Sequence, residues 1–184
     1  STRVKDKNIQ VVGSRNLIRR AVDFSISCGL NNIYVYTDYE ASEIGINNDF
    51  ILNRNESDSH VKSIAEDYIC NFISKLELSD QFILLLQPTS PFRNEDVIRS
   101  LLGKLDSIEH GSIFASMSLS YESIWECQEG KLSSVRPNEV RLQQEKAAYY
   151  VEDGNFYLFR ASDFVKAGAL KHMNWLPVVN EFPY

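Results

Sequence analysis

The 184-residue sequence lacks the features that define several large classes of protein. It contains neither GxxxxGK[ST] nor GxGxxG, the glycine-rich loops of P-loop nucleotidases and dinucleotide enzymes. Its longest apolar runs are far too short to cross a bilayer, so we expect no membrane partner. The histidines His60, His110 and His172 are isolated, with no zinc-site or triad spacing. A P-loop NTPase, a dinucleotide enzyme and a histidine zinc site are therefore not expected.

Cysteine is also scarce. Cys28, Cys70 and Cys127 are odd in number, widely spaced and without a CxxC pair, which argues against a disulfide framework. This usage favours a reducing, cytoplasmic compartment. Cys28 and Cys70 fall on apolar faces of predicted helices, so we expect both to be small core residues.

Basic residues are in deficit overall but concentrated at one end. The formal net charge is −6, which argues against nucleic-acid binding. Residues 1–20 hold six basic residues and one acidic residue, a local charge of +5, so the remainder carries −11. A basic amino-terminal lobe suits a compact polyanion such as a nucleoside triphosphate. We assign Arg19 and Arg20 to a solvated helix face, whereas Arg3 and Lys7 lie in an unpatterned loop.

The apolar pattern alternates between helical and strand periods. With 43% hydrophobic residues, the chain can bury one sizeable core, so we expect a single domain over residues 1–184. Helices are predicted at 16–28, ending at Gly29, at 39–44, at 58–76, and after the capping residue Asn94. Strands are predicted at 33–36, 50–52, 82–86, 112–118 and 155–159. This alternation predicts an α/β fold with a doubly wound, mainly parallel sheet.

The segment QPTSPFR, residues 87–93, follows the apolar run FILLL directly. Its prolines cannot donate to a sheet and force the chain out of it. The loop then carries an amide, two hydroxyls and a cation at the carboxyl end of a central strand, where open α/β sheets bind ligands. A plain proline-rich turn would explain the prolines but not the polar side chains. We therefore favour a binding loop.

Three segments resemble the acylneuraminate cytidylyltransferases, the CMP-sialic acid synthetase family. LLQPTSPFR at 85–93 closely resembles that family's LLQPTSPLR signature. STRVKDKNI at 1–9 resembles the second half of its nucleotide loop, ARGGSKRIPGKNI, and YVEDGNFY at 150–157 is similar to its Y-x-x-NGAIYI segment. The three occur in the family's order and cover nearly the whole chain.

The resemblance implies a nucleotide-diphospho-sugar-transferase-like Rossmann variant. The implied reaction transfers CMP from CTP to the anomeric hydroxyl of a nonulosonic, sialic-acid-like acid and releases pyrophosphate, with Mg2+ as cofactor. It also implies a homodimer in which an arm, residues 120–150, is exchanged between subunits. Turn residues 128–130, flanked by 123–127 and 131–135, independently predict a β-hairpin there. Trp125 suits a dimer interface, although packing on its own sheet is an equal alternative.

The resemblance also assigns roles to individual residues. Arg3 and Lys7 are implied to neutralise the triphosphate as catalytic groups. CTP binding is implied for Ser1, Asn8, Arg54 and Ser59. Acceptor binding is implied for Gln87, Thr89, Ser90, Arg93, Gln144, Tyr150 and Asp153. Asp153 and Asn155 stand where the family usually has asparagine and alanine, and we expect these changes to alter which sugar is accepted.

By the family's register, the chain opens inside the nucleotide loop and stops at Tyr184, before the family's magnesium-holding Asp-x-Asp segment. We therefore expect truncation at both ends, with the metal ligands beyond Tyr184. Two other functions stay open. A nucleotidyltransferase for another acidic sugar such as Kdo is disfavoured, because that group usually has an acidic residue where this chain has Thr89 and Ser90. A non-enzymatic binding or assembly module is the third hypothesis. Asp38, after another strand, is interpreted as a pocket residue or a helix cap.

Overall fold

The computed structural model describes residues 6–54, 65–108, 112–119, 125–134 and 149–179. Within these ranges the chain forms five α-helices and ten β-strands. The helices are α1 (Leu17–Ser27), α2 (Ala41–Ile44), α3 (Ala65–Lys75), α4 (Glu95–Leu102) and α5 (Ala161–Ala167). The strands are β1 (Val11–Val12), β2 (Arg15–Asn16), β3 (Val35–Thr37), β4 (Ile51–Asn53), β5 (Phe82–Leu86), β6 (Ser112–Leu119), β7 (Trp125–Gln128), β8 (Lys131–Ser134), β9 (Tyr149–Arg160) and β10 (Trp175–Val179).

Helices cover both faces of the main sheet, as predicted for a doubly wound fold. Successive residues of a strand point to opposite faces, and β9 uses this to bury two cores. Tyr157 and Phe159 pack with residues of α3 and α5 on one face. Phe156 and Leu158 pack with residues of α1 and α4 on the other. The result is a three-layer α/β/α arrangement around β9 and β5.

The main sheet is mixed, and the prediction of a mainly parallel sheet is wrong for it. Its strand order is β10-β6-β9-β5. β6 and β10 are parallel, whereas β9 runs antiparallel to both β6 and β5. β3 and β4 form a separate parallel pair. The apolar run of β5 is typical of a strand in a parallel sheet, but β5 is antiparallel to β9. Such a run indicates that both faces of the sheet are covered and does not determine the direction of the strand.

Local capping signals place the helix ends where the sequence predicts them. The Asn16 side chain accepts a hydrogen bond from the Arg19 backbone N–H at 2.8 Å, at the start of α1. Gly29, with φ of 82°, follows the end of the same helix. Asn94 caps α4 by accepting from the Asp96 N–H at 2.9 Å. The hydrogen bonds of Asn16 and Asn94 satisfy backbone N–H donors that the first turn of a helix leaves free.

The two predicted core cysteines differ. Cys28 is buried, and burial raises the pKa of its thiol. Cys70 is exposed, so its assignment to the core is wrong. The buried stripe of α3 consists of Ile69 and Ile73. Cys70 lies one residue past Ile69, about 100° around a helix of 3.6 residues per turn, and so faces outward.

The predicted hairpin is confirmed as β7 and β8, which pair antiparallel. Glu129 and Gly130 connect them with φ of 51° and 78°, the positive values that a two-residue type I′ turn requires. Residues 120–124 and 135–148 of the predicted arm, and the side chain of Trp125, lie outside what the structure describes.

None of the helices in the described ranges has the length and apolar character needed to span a membrane.

Candidate functional site

The loop after β5 folds against β9. Leu86, the last residue of β5, pairs with Phe156, which places residues 87–93 beside residues 153–155. The buried Asn155 amide donates to the Phe92 carbonyl at 2.6 Å, and the Ser90 hydroxyl donates to the Asp153 carbonyl at 3.4 Å. Two segments that the sequence identified separately, more than 60 residues apart, therefore meet at the carboxyl end of β5.

Gly154 permits this close approach. Its φ is +67°, a conformation that side chains with a Cβ rarely adopt. A Cβ built at Gly154 would lie 3.1 Å from Gln87 Oε1 and 3.5 Å from Ser90 Oγ. The absent side chain thus leaves the space in which the Gln87 amide lies.

Arg93 connects the loop to two other elements. Its Nη2 donates to the Gln87 carbonyl, and its Nε donates to the Asn155 carbonyl at 3.4 Å. Its guanidinium carbon lies 5.7 Å from the centre of the Phe24 ring in α1, within cation–π range. Burial, and secondly the charge of Arg20, lower the pKa of Arg93 to about 10. The loop therefore carries a partly buried cation held by backbone oxygens.

A second group of polar residues lies at the carboxyl ends of β3 and β4. Arg54 forms an ion pair with Asp38 at 3.7 Å and donates to the Tyr36 carbonyl at 3.3 Å. Its guanidinium carbon also lies 4.9 Å from the centre of the Tyr68 ring. Asp38 does not cap α2, because Glu40 occupies that position. The cap interpretation of Asp38 is wrong, and its carboxylate instead holds Arg54.

The two predicted site residues that are described in the nucleotide loop lie in a tight turn. Lys7 and Asn8 belong to a 3-10 turn, Lys7–Ile9, and Lys7 is exposed. The preceding Asp6 accepts a hydrogen bond from the Tyr39 hydroxyl at 3.4 Å, which ties the turn to the end of β3. Burial, and secondly the charge of Asp6, raise the pKa of Tyr39.

Apart from Lys7, Asn8 and Arg54, the predicted site residues divide into three groups. Gln87, Ser90, Arg93 and Asp153 come together around Gly154. Thr89 is exposed in the same loop, whereas Tyr150 is 42% exposed and pairs with Ser118 of β6. Tyr150 lies four positions before Gly154 along the strand, at a distance of up to about 13 Å. The residues that lie outside the described ranges are Ser1, Arg3, Ser59 and Gln144.

Sequence reasoning missed one basic residue of this region. Arg20 was assigned to a solvated helix face together with Arg19. Arg19 is partly exposed and pairs with Asp23 at 2.9 Å, as expected for that face. Arg20 has the same intermediate exposure, but its Nε is buried, so the assignment to a solvated face is wrong for that part of the side chain. The available signal was its spacing of four residues from Phe24, which places both on one helix face.

The described residues provide no cluster of three or more histidine, cysteine, aspartate or glutamate side chains placed to hold a metal ion. Of the three histidines, His172 is described and is exposed.

The fold is similar to that of several solved structures, whereas no protein family and no curated protein matches the sequence. CMP:2-keto-3-deoxy-manno-octonic acid synthetase complexed with CTP is similar over 98% of this chain and 86% of its own, at 14% identity and a TM-score of 0.66. 4-Diphosphocytidyl-2C-methyl-D-erythritol synthase is similar over 95% of this chain and 85% of its own, at 9% identity and a TM-score of 0.63.

A Bacillus anthracis protein described as a glucose-1-phosphate thymidylyltransferase is a third such structure. It is similar over 97% of this chain and 79% of its own, at 14% identity and a TM-score of 0.60. Similarities at such low sequence identity establish the fold and nothing further. The chain therefore has the nucleotide-diphospho-sugar-transferase-like fold that its sequence predicts, in a mixed α/β form.

Proposed function

We propose that this protein is a cytidylyltransferase that transfers CMP from CTP to the anomeric hydroxyl of a nonulosonic, sialic-acid-like acid and releases pyrophosphate. The observation that carries the proposal is the contact of the loop after β5 with residues 153–155 of β9. Both segments are those whose residues resemble the acylneuraminate cytidylyltransferases. The similarity of the fold to a CTP-bound synthetase for an acidic sugar supports the same class of reaction.

Nucleotidyl transfer depends on charge neutralisation and in-line positioning more than on covalent catalysis. In this proposal Arg3 and Lys7 neutralise the triphosphate, and a guanidinium does so through two parallel hydrogen bonds. Ser1, Asn8, Arg54 and Ser59 hold the rest of CTP. Of these, Arg54 is fixed in orientation by Asp38 and by the Tyr36 carbonyl.

The acceptor side of the proposed site has side-chain groups that are held in place and still free to bind. Gln87 packs against Gly154, and within the described residues its side-chain amide makes no hydrogen bond. That amide offers both a donor and an acceptor to a sugar hydroxyl or carboxylate. Thr89 and Ser90 add hydroxyls from the same loop. Arg93, Gln144, Tyr150 and Asp153 complete the proposed acceptor contacts.

We propose Mg2+ as the cofactor because it neutralises charge on a nucleoside triphosphate. Magnesium is commonly held by one or two carboxylates together with substrate phosphates. The described residues form no multi-ligand metal cluster. We therefore assign the metal to none of the described residues.

A Kdo-type acceptor is the second candidate. The fold similarity to CMP:2-keto-3-deoxy-manno-octonic acid synthetase favours it. The hydroxyls of Thr89 and Ser90, where a Kdo enzyme usually carries an acidic residue, favour the nonulosonic acid. Both acceptors are acidic sugars with an anomeric hydroxyl, so the chemistry of transfer is the same.

The test is pyrophosphate release from CTP and Mg2+ with separate acceptors: a panel of nonulosonic acids, Kdo, and a neutral sugar as the control. We expect release only when CTP and a nonulosonic acid are both present. Release with CTP and Kdo, but not with CTP and any nonulosonic acid, would identify the protein as a nucleotidyltransferase for Kdo. No release with any acceptor, from folded protein that binds CTP, would favour a non-enzymatic binding module.

We also propose a homodimer in which the arm, residues 120–150, contacts the partner subunit. Light scattering should give twice the mass of the 21.1 kDa chain. Deletion of the β7–β8 hairpin should reduce that mass to one chain, because the proposed contact surface would be lost. A monomeric mass for the intact protein would contradict the proposal.

A further inference from the structure

Two arginines close to the candidate site each bury an N–H group that has no hydrogen-bond partner. These groups are Nε of Arg20 and Nη1 of Arg93. Arg160 also buries an unpartnered Nε, but its guanidinium forms an ion pair with Asp80 at 3.1 Å and lies over the Phe82 ring. Only Arg20 and Arg93 combine an unpartnered buried donor with an uncompensated charge, among the residues that the structure describes.

The two side chains belong to different elements, and the charge of Arg20 is close enough to lower the pKa of Arg93. Arg93 extends from the loop after β5 to the face of Phe24 in α1. Arg20 precedes Phe24 by four residues and therefore lies one turn away on the same helix face. Its Nη1 donates to the Val12 carbonyl at 3.3 Å, at the turn between β1 and β2. The pair thus lies where the amino-terminal hairpin, α1 and the β5 loop meet.

The other five arginines in the described ranges are all paired with carboxylates. The pairs are Arg15 with Asp23, Arg19 with Asp23, Arg54 with Asp38, Arg99 with Glu95 and Arg160 with Asp80. Arg20 and Arg93 have no such ion pair with a described residue, and the charge of Arg20 contributes to the lowered pKa of Arg93. Two neighbouring, partly buried cations without an anion are unfavourable, because burial removes hydration that nothing replaces.

We propose that Arg20 and Arg93 together bind an oxyanion, a carboxylate or a phosphate group, between α1 and the loop after β5. A guanidinium presents N–H donors in a planar fork that matches these groups. Such an anion would satisfy both buried donors and neutralise the like charges at once. That the oxyanion belongs to a substrate, CTP or the acidic sugar, rests on the proposed function.

Binding of two probes tests the site without requiring turnover. Isothermal titration calorimetry of the full chain with inorganic pyrophosphate measures the affinity for a phosphate group. A separate titration with N-acetylneuraminic acid measures the affinity for a carboxylate. We expect Arg20→Gln to weaken at least one probe by about tenfold or more. Arg19→Gln is the matched control: it removes the same charge from the adjacent residue, and we expect a change below about twofold.

Arg20→Lys serves as a second variant if Arg20→Gln does not fold. It keeps the charge but loses the fork, and we expect an affinity between those of the wild type and the glutamine variant. If the variants bind pyrophosphate more weakly, the oxyanion is a phosphate group; if they bind the sugar acid more weakly, it is a carboxylate. Wild-type affinity for both probes in every folded Arg20 variant, or no binding of either probe by the wild type, would overturn the proposal.

The proposed function and the oxyanion site fail in different ways. Arg20-dependent binding of a probe without CTP-dependent pyrophosphate release would keep the site and reject the cytidylyltransferase. Sugar-dependent release of pyrophosphate, together with probe binding that does not change on substitution of Arg20, would keep the cytidylyltransferase and reject the oxyanion site.

Discussion

Gly154 is the residue of the candidate site with the least room for change. Its φ of +67° and the 3.1 Å between a built Cβ and Gln87 Oε1 both disfavour a side chain. We expect Gly154→Ala to lower the free energy of unfolding by about 1–2 kcal/mol, from the left-handed conformation alone. We also expect it to lower kcat/KM for the acceptor by about tenfold or more, because Gln87 must move.

Gly168 provides the control for that substitution. Its φ is +72°, but no atom lies within 4 Å of a Cβ built there. Gly168→Ala should therefore lose a similar free energy in urea unfolding while keeping wild-type kcat/KM. Equal kcat/KM in the two variants would mean that the contact between Gln87 and Gly154 is not needed for catalysis.

Glu152 gives a pH dependence at the residue scale. Burial, and secondly the charge of Asp153, raise its pKa above the ordinary glutamate value. The folded state therefore holds this proton to higher pH than the unfolded chain, and the group's contribution to stability is lost as pH rises through the raised pKa. Glu152→Gln should raise Tm near pH 7 by no more than about 1 °C, because the exposed group is screened by water.

The same substitution should leave Tm unchanged near pH 4, where the carboxyl is largely protonated in both states. Thermal unfolding followed by circular dichroism at the two pH values measures the difference. A gain in Tm that is larger at the lower pH would contradict the assigned direction of the shift.

At the scale of elements, the sequence predicts helices better than strands. α1 and α4 carry their own capping residues, and their apolar spacing is local. β10 is missed because Pro177 lies within it, and proline argues against a strand. β10 is an edge strand of the described sheet, where proline is tolerated. β9 is longer than predicted because residues 149–152 also pair with β6, and the strand continues through Asp153 and Gly154 at a shift in register.

The cap of α4 is a testable contribution at this scale. Asn94 accepts the Asp96 N–H at 2.9 Å, directly after the loop that carries Arg93. Asn94→Ala should lower the free energy of unfolding by about 1 kcal/mol, whereas Asn94→Asp should stay near wild type because aspartate also caps. Urea unfolding of both variants is the measurement. Equal stability of the two would mean that the cap hydrogen bond contributes nothing to stability.

At the scale of the whole molecule, the individual site segments could be predicted but their contacts could not. The loop after β5 is visible in the sequence because its polar groups and prolines are contiguous. The contact of Gln87 with Gly154 depends on antiparallel pairing of β5 with β9, strands separated by more than 60 residues. The neighbourhood of Arg20 and Arg93 likewise depends on a distant loop that places Arg93 against α1. Non-local pairing of this kind leaves no pattern in either segment.

In the proposed function, the contact of Gln87 with Gly154 forms the acceptor site of a cytidylyltransferase. Acceptor-dependent pyrophosphate release by the wild type, Gln87→Ala and Gln81→Ala tests it most directly. Gln81 adjoins the opposite end of β5, where its side chain accepts hydrogen bonds from the Ser79 and Asp80 N–H groups. We predict that Gln87→Ala loses about tenfold or more in kcat/KM with its fold intact, and that Gln81→Ala keeps wild-type turnover. Near-normal activity of Gln87→Ala with every acceptor would contradict the claim.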